Sequence, residues 1–131
     1  MSRSLVPLQI PSGWAVMINH FGDEDPIVLD GRIVNDQFYT IGLLWIQSMR
    51  NDGERWALNP EGHLLDLGWY PDSDPQGSYR LVVIRRDWNN ILATIESADR
   101  REIRAAIEKC LHLITQGVDD RELSHLVRAS R

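Results

Sequence analysis

The sequence predicts an α+β domain: a mainly antiparallel sheet of four to six strands with a C-terminal helix packed on one face. Three observations carry that expectation. Short segments of alternating apolar and polar residues recur between Trp14 and Ser97, separated by clusters of Gly, Pro, Asn and Asp, which is the punctuation of strands joined in sequence. Beyond Asp99 the apolar spacing changes from two to three and four, as it does in a helix that lies on an apolar surface. The chain of 131 residues, 43% hydrophobic and 25% charged, suits one domain over residues 1–131 built around a single core.

Taken in order, residues 1–11 read as a loosely attached arm, because Pro7 and Pro11 deny it regular hydrogen bonding. In "GWAVMINHF", Trp14, Val16 and Ile18 alternate with Ala15, Met17 and Asn19, the period-two mark of a strand. "GDEDP", Gly22 to Pro26, breaks it. Asp30-Gly31 lies between short β-branched runs and signals a hairpin. In "FYTIGLLWIQSMRNDGERWAL" the spacing of Ile41, Leu44, Trp45 and Met49 predicts a short helix ending before Asn51-Asp52-Gly53, with Gly42 counting against it.

"NPEG", Asn59 to Gly62, has Pro early and Gly late and turns "RWAL" into "HLLDLGWY". "GSYRLVVIRRD" follows as a strand with Tyr79, Leu81 and Val83 on one face and Arg80, Val82 and Ile84 on the other. Asp87 to Asn90 then turns into "ILATIES", giving an antiparallel meander. Asp99 with Glu102 three residues on forms the capping-box pattern, and Ile103, Ala106, Ile107, Cys110, Leu111 and Ile114 make one stripe. Gly117 is the expected stop, and residues 118–131 are expected to form a short helix or tail through Leu123, Leu126 and Val127.

Composition narrows function. A net charge of −5 disfavours nucleic acid as a partner, for which a basic patch is needed. The apolar runs "IGLLWI" and "LVVI" are far shorter than the ~20 residues of a spanning helix, so no membrane role is expected. The N-terminus lacks an apolar signal core, and a cytoplasmic location is expected. Cys110, the single cysteine, falls on the helix stripe as a small hydrophobe.

Chemistry-bearing patterns are sparse. Asp72, Asp74 and Gly77 match the first, third and sixth positions of a calcium loop, but Gln76 occupies the fifth and Val83 the twelfth. No metal is expected there, and Asp72 and Asp74 are assigned to bonding nearby amides, with Gly77 supplying positive φ. His20, His63, His112 and His125 lack zinc-site spacing, and neither a nucleophile elbow nor a phosphate-cradling loop is present. No cofactor and no enzymatic activity are expected. Trp14 is assigned to the core, whereas Trp69-Tyr70 at a strand end and Trp88 in a turn are expected to be half exposed, as binding anchors often are.

The strings "IPSGW", Asp25-Pro26 and "DLGWYPDSDPQGSYRL", followed by "SADRREIRAAIEKCL", resemble a family of small bacterial proteins associated with polymorphic-toxin immunity. There a similar G-W-Y-P turn and G-x-Y strand precede a C-terminal helix. The similarity runs from about Ile10 to Leu113. It implies a cytoplasmic protein that neutralises a polymorphic or contact-delivered toxin by tight stoichiometric binding, and it transfers no site residues. The residues themselves nominate Asp23, Glu24, Asp25, Trp69, Tyr70, Asp72 and Asp74 as a partner-binding set, acidic loops with aromatic anchors suited to a basic toxin domain such as a nuclease. Two alternatives stay open: another protein-interaction or assembly module, and an enzyme whose site follows none of these motifs.

Overall fold

A computed structural model describes residues 4–129. Eight strands and two helices follow in the order β1 (Trp14–Asn19), β2 (Val28–Leu29), β3 (Arg32–Ile33), β4 (Leu44–Asn51), β5 (Trp56–Leu58), β6 (His63–Tyr70), β7 (Ser78–Arg85), β8 (Ile91–Ser97), α1 (Arg100–Thr115) and α2 (Asp120–Ala129). Six strands form one antiparallel sheet in the order β1-β4-β6-β7-β8, with β5 also paired to β4, while β2 and β3 make a separate hairpin. The fold is α+β, mainly sheet, with helices at the C-terminal end.

Alternation decides which side of each strand is buried. Leu44 and Ile46 of β4, Leu65, Leu67 and Trp69 of β6, Tyr79, Leu81 and Val83 of β7, and Ala93 and Ile95 of β8 line up across the register and share one core cluster. Ile103, Ile107, Cys110 and Leu111 of α1 complete this cluster, together with Leu123 and Val127 of α2. The stripe read from the sequence therefore lies on the sheet, with Ile114 partly buried at its far end. The opposite face carries Trp45, Asp66, Val82 and Thr94 in one row and Gly68, Arg80 and Glu96 in the next.

The helix expected before Asn51 is instead strand β4. Its burial alternates, Leu44, Ile46 and Ser48 in and Trp45 out, and bonding to β1 on one edge and β6 on the other overrides the local helical spacing. Asp52 turns β4 into β5 by accepting from the Glu54 and Arg55 amides, both at 3.1 Å. "NPEG" then acts as an insertion within one long strand. Met49 faces Leu58 and Gln47 faces Leu64, so five residues stand opposite Ser48 alone. The Ser48 hydroxyl accepts the His63 amide at 2.9 Å and closes the gap.

The arm is also bound more firmly than expected over its described part. Val6 is buried, its amide bonds the Phe21 carbonyl at 2.8 Å, and the Gln9 amide reaches Glu108 of α1 at 2.7 Å. Val6, Leu8 and Ile10 alternate inward, which leaves the two prolines where an N–H is dispensable.

At the start of α1, Asp99 accepts the Arg101 amide at 2.8 Å. Glu102 does not return the bond to Asp99. It accepts from the Ser97 hydroxyl at 2.5 Å, and that hydroxyl takes the Asp99 amide at 2.9 Å, so the capping box closes through a third residue. The helix stops at Thr115, just before Gly117. Among the described residues no helix is long and apolar enough to cross a membrane.

Candidate partner-binding site

The acidic run that follows β1 is tied down from two sides. Arg100, the first residue of α1, places its Nε 3.2 Å from Asp23 and a terminal nitrogen 2.7 Å from Asp25. Burial works against the Arg100 charge, but the bond and field of Asp25 outweigh it and hold its pKa above the ordinary value. Glu24 accepts from the Asn35 amide nitrogen at 2.8 Å, while Asn35 Oδ1 accepts the Ile27 N–H at 2.8 Å. Asn35 therefore fixes the base of the β2–β3 hairpin, whose turn residues Asp30 and Gly31 both have positive φ. Asp25 remains 88% exposed despite its bond to Arg100.

The second acidic segment, residues 71–77, joins β6 to β7. Asp74 Oδ1 accepts the Gln76 amide at 2.8 Å, and Asp72 accepts from the Ser73 hydroxyl at 3.1 Å. Asp74 thus bonds a nearby amide as expected, whereas the partner of Asp72 is a hydroxyl. Positive φ falls on Ser73, not on Gly77. Gly77 is required by proximity, since a Cβ there would stand 2.7 Å from Trp69 Nε1 and from the Tyr70 carbonyl oxygen. Among the described residues no three His, Cys, Asp or Glu side chains gather as metal ligands.

Tyr39 brings the two acidic segments together. Its hydroxyl donates to the Glu24 carbonyl at 2.5 Å, and its own carbonyl accepts the Ser73 amide at 2.8 Å. The ring sits edge-on to Trp69 at 4.9 Å, and Trp69 sits edge-on to Tyr79 at the same distance. Burial raises the pKa of both tyrosines, so both stay neutral. Segments nearly fifty positions apart are thereby brought to one residue.

Trp69 is withdrawn from the partner-facing set. It is only 2% exposed, and its indole N–H is spent on the Asp74 carbonyl at 2.8 Å. The residue continues the inward row of Leu65 and Leu67, so it braces the acidic loop from beneath. Tyr70 takes the opposite face, half buried, with the Arg80 guanidinium 4.5 Å from its ring centre and Glu96 3.8 Å from Arg80. Beside it Ile41 is exposed, its carbonyl 3.5 Å from the Tyr70 hydroxyl. Asp72 follows this apolar spot of Tyr70 and Ile41 by two residues in the chain, whereas Asp25 stands by Arg100 at the start of α1.

Sequence reasoning missed Tyr39, Asn35 and Arg100. Arg100 stands beside the helix cap, and its pairing with residues 75 and 77 positions earlier has no local signal. Trp14 packs against the core as assigned and donates its indole N–H to Thr115 at 2.9 Å, while Trp88 is exposed. Burial pushes the Cys110 thiol up to about 12, only partly opposed by Lys109, so it remains a protonated packing group. No protein family model, curated protein or solved structure matches this chain.

Proposed function

We propose that the protein is a cytoplasmic immunity protein that neutralises a bacterial toxin by stoichiometric binding, presenting its joined acidic loops to a basic toxin domain. The observation that carries this reading is the Tyr39 bridge, which ties together Glu24 and Ser73, the chain neighbours of Asp25 and Asp72, in a chain of net charge −5. Carboxylates fixed in this way meet a basic cleft without first having to be ordered, and complementary charge speeds encounter. The sequence resemblance to toxin-immunity proteins points the same way.

The test is co-expression with the product of any toxin gene found adjacent to this one, scoring growth and recovering the complex by pull-down. Protection and a one-to-one complex are expected. Asp72→Lys should weaken protection without unfolding, because among the described residues Asp72 bonds only the neighbouring Ser73 hydroxyl. Association should also slow as salt rises, since screening contracts to ~8 Å at physiological ionic strength. Equal killing with and without this protein, and no complex, would refute the reading. The adaptor alternative would then lead, with Tyr70 and Ile41 as its contact.

A further inference from the structure

The sheet ends in two edges that the chain treats differently. At β8, helix α2 lies alongside, and the Ser124 hydroxyl donates to the Leu92 carbonyl at 2.6 Å. At β1 no such cover is present among the described residues. The Met49 N–H bonds the Gly13 carbonyl at 2.8 Å, and because backbone direction alternates along a strand, Gly13 and Ala15 face β4 while Trp14 and Val16 turn their N–H and C=O groups outward. Among the described residues the N-terminal arm meets this line only beyond β1, at Phe21 to Asp23, and then crosses to Glu108.

The composition of this edge is as telling as its position. Exposed strand edges are ordinarily protected by charge, proline or a covering element, yet Trp14 to Asn19 contains neither a charged residue nor a proline. Val16, Met17 and Ile18 are 43%, 45% and 39% exposed. Exposed tryptophans flank them: the Trp56 ring lies against Gly13, and Trp45 is the cross-strand partner of Ile18.

We infer that two copies of this chain pair antiparallel through β1, joining their sheets into one. A basic partner would find no carboxylate between Trp14 and Asn19. Two copies, each of net charge −5, repel over most of their surface and can approach closely where charge is missing, which is along this strand. A two-fold axis through Ala15 lets Trp14 exchange both backbone bonds with Val16 of the second copy, and Val16 with its Trp14. Each of those contacts sets an aromatic against a β-branched side chain, a favourable cross-strand pair, and the residue meeting itself on the axis is small. The register shift between Val16 and Ile18 bends the far half of β1, which confines pairing to this centre. The inference does not rest on the toxin-binding reading, whose residues lie outside β1.

The experiment is sedimentation equilibrium of the full chain from low-micromolar to sub-millimolar concentration. A reversible shift from one-copy to two-copy mass is expected. Ala15→Cys should form an intermolecular disulfide on mild oxidation, while Ile91→Cys on the α2-covered edge should not, and buried Cys110 adds no background. Val16→Pro removes an outward N–H and leaves the β4 bonds, so it should yield one-copy mass with an unchanged circular dichroism spectrum. If that variant unfolds, Val16→Lys decides in its place. A one-copy mass at every concentration overturns the inference, as does a dimer that persists in the folded Val16 variant. An edge filled only in the presence of another protein also overturns it.

Discussion

The two faces of the sheet are built from the same strands, one residue out of phase, and they are under different demands. On the covered face Leu65, Leu67, Leu81 and Val83 share one core cluster with α1 and have essentially no exposed surface. On the other face Trp45, Thr94 and Glu96 are exposed, and Asp66, between Trp45 and Val82, has no ion pair among the described residues. Stability is therefore concentrated on one side. The other side also buries Val82 and Ile84, but it leaves Trp45, Thr94 and Glu96 exposed to serve contacts.

The largest expected effect lies on the covered face. Replacing Ile107, fully buried, with Ala should cost about 2–5 kcal/mol by urea denaturation. A loss below half a unit would break the contrast between the faces. Next comes Asp99→Ala, which removes the α1 cap and should cost about 1 kcal/mol (range roughly 0.5–2). A circular dichroism melt would read it, with Asp99→Asn as the variant that retains most of the cap.

Two carboxylates should respond to pH in opposite senses. Asp120, at the start of α2, pairs with His63 at 2.8 Å and Arg85 at 2.9 Å. Burial alone would raise its pKa, but those two bonds outweigh it and hold the carboxyl below the usual carboxylate range. The unfolded state then binds the proton more readily, so the contribution is present above the unfolded value and disappears as pH falls through the folded one. Asp120→Asn should flatten the acid limb of stability, by about 1 kcal/mol or less because the pair is partly exposed.

Asp66 is the reverse, since desolvation raises its pKa. The folded state holds its proton longer, and stability falls as pH climbs from the unfolded pKa through the raised folded one. Asp66→Asn should remove that fall, and stability measured across the acid range would show it. A pH response of the same sign at both carboxylates would erase the distinction. Smallest of all, Glu96→Ala on the open face should change stability by no more than about 0.5 kcal/mol, because its pairing with Arg80 is long and exposed.

Legibility in the sequence followed the range of the interaction. The two faces of β7 and the α1 stripe could be read because each is a local period. Strand β4 could not, because "IGLLWI" is apolar at almost every position and only its neighbours in the sheet choose between helix and strand. Trp69 was readable in principle: counting by twos from Leu65 sends it inward and Tyr70 outward, a stronger guide than proximity to a strand end. At the candidate site the acidic residues were visible as residues, but their meeting was not. Tyr39 joins Glu24 to Ser73, and Arg100 reaches back to Asp23 and Asp25, through contacts that exist only once the sheet has formed.

The long excursion between β1 and β4, clasped by Arg100 and Tyr39, sets an order of events. Strands β6, β7 and β8 are joined by short connections and can find one another early, whereas β1 must close a loop of more than twenty residues before its first bond to β4 is made. Contacts distant in sequence form slowly because closure entropy is lost before any pairing compensates for it. The meander should therefore act as the folding nucleus and β1 should dock last. Hydrogen exchange during refolding would show it as protection of Leu81 and Val83 amides before those of Ala15 and Ile18.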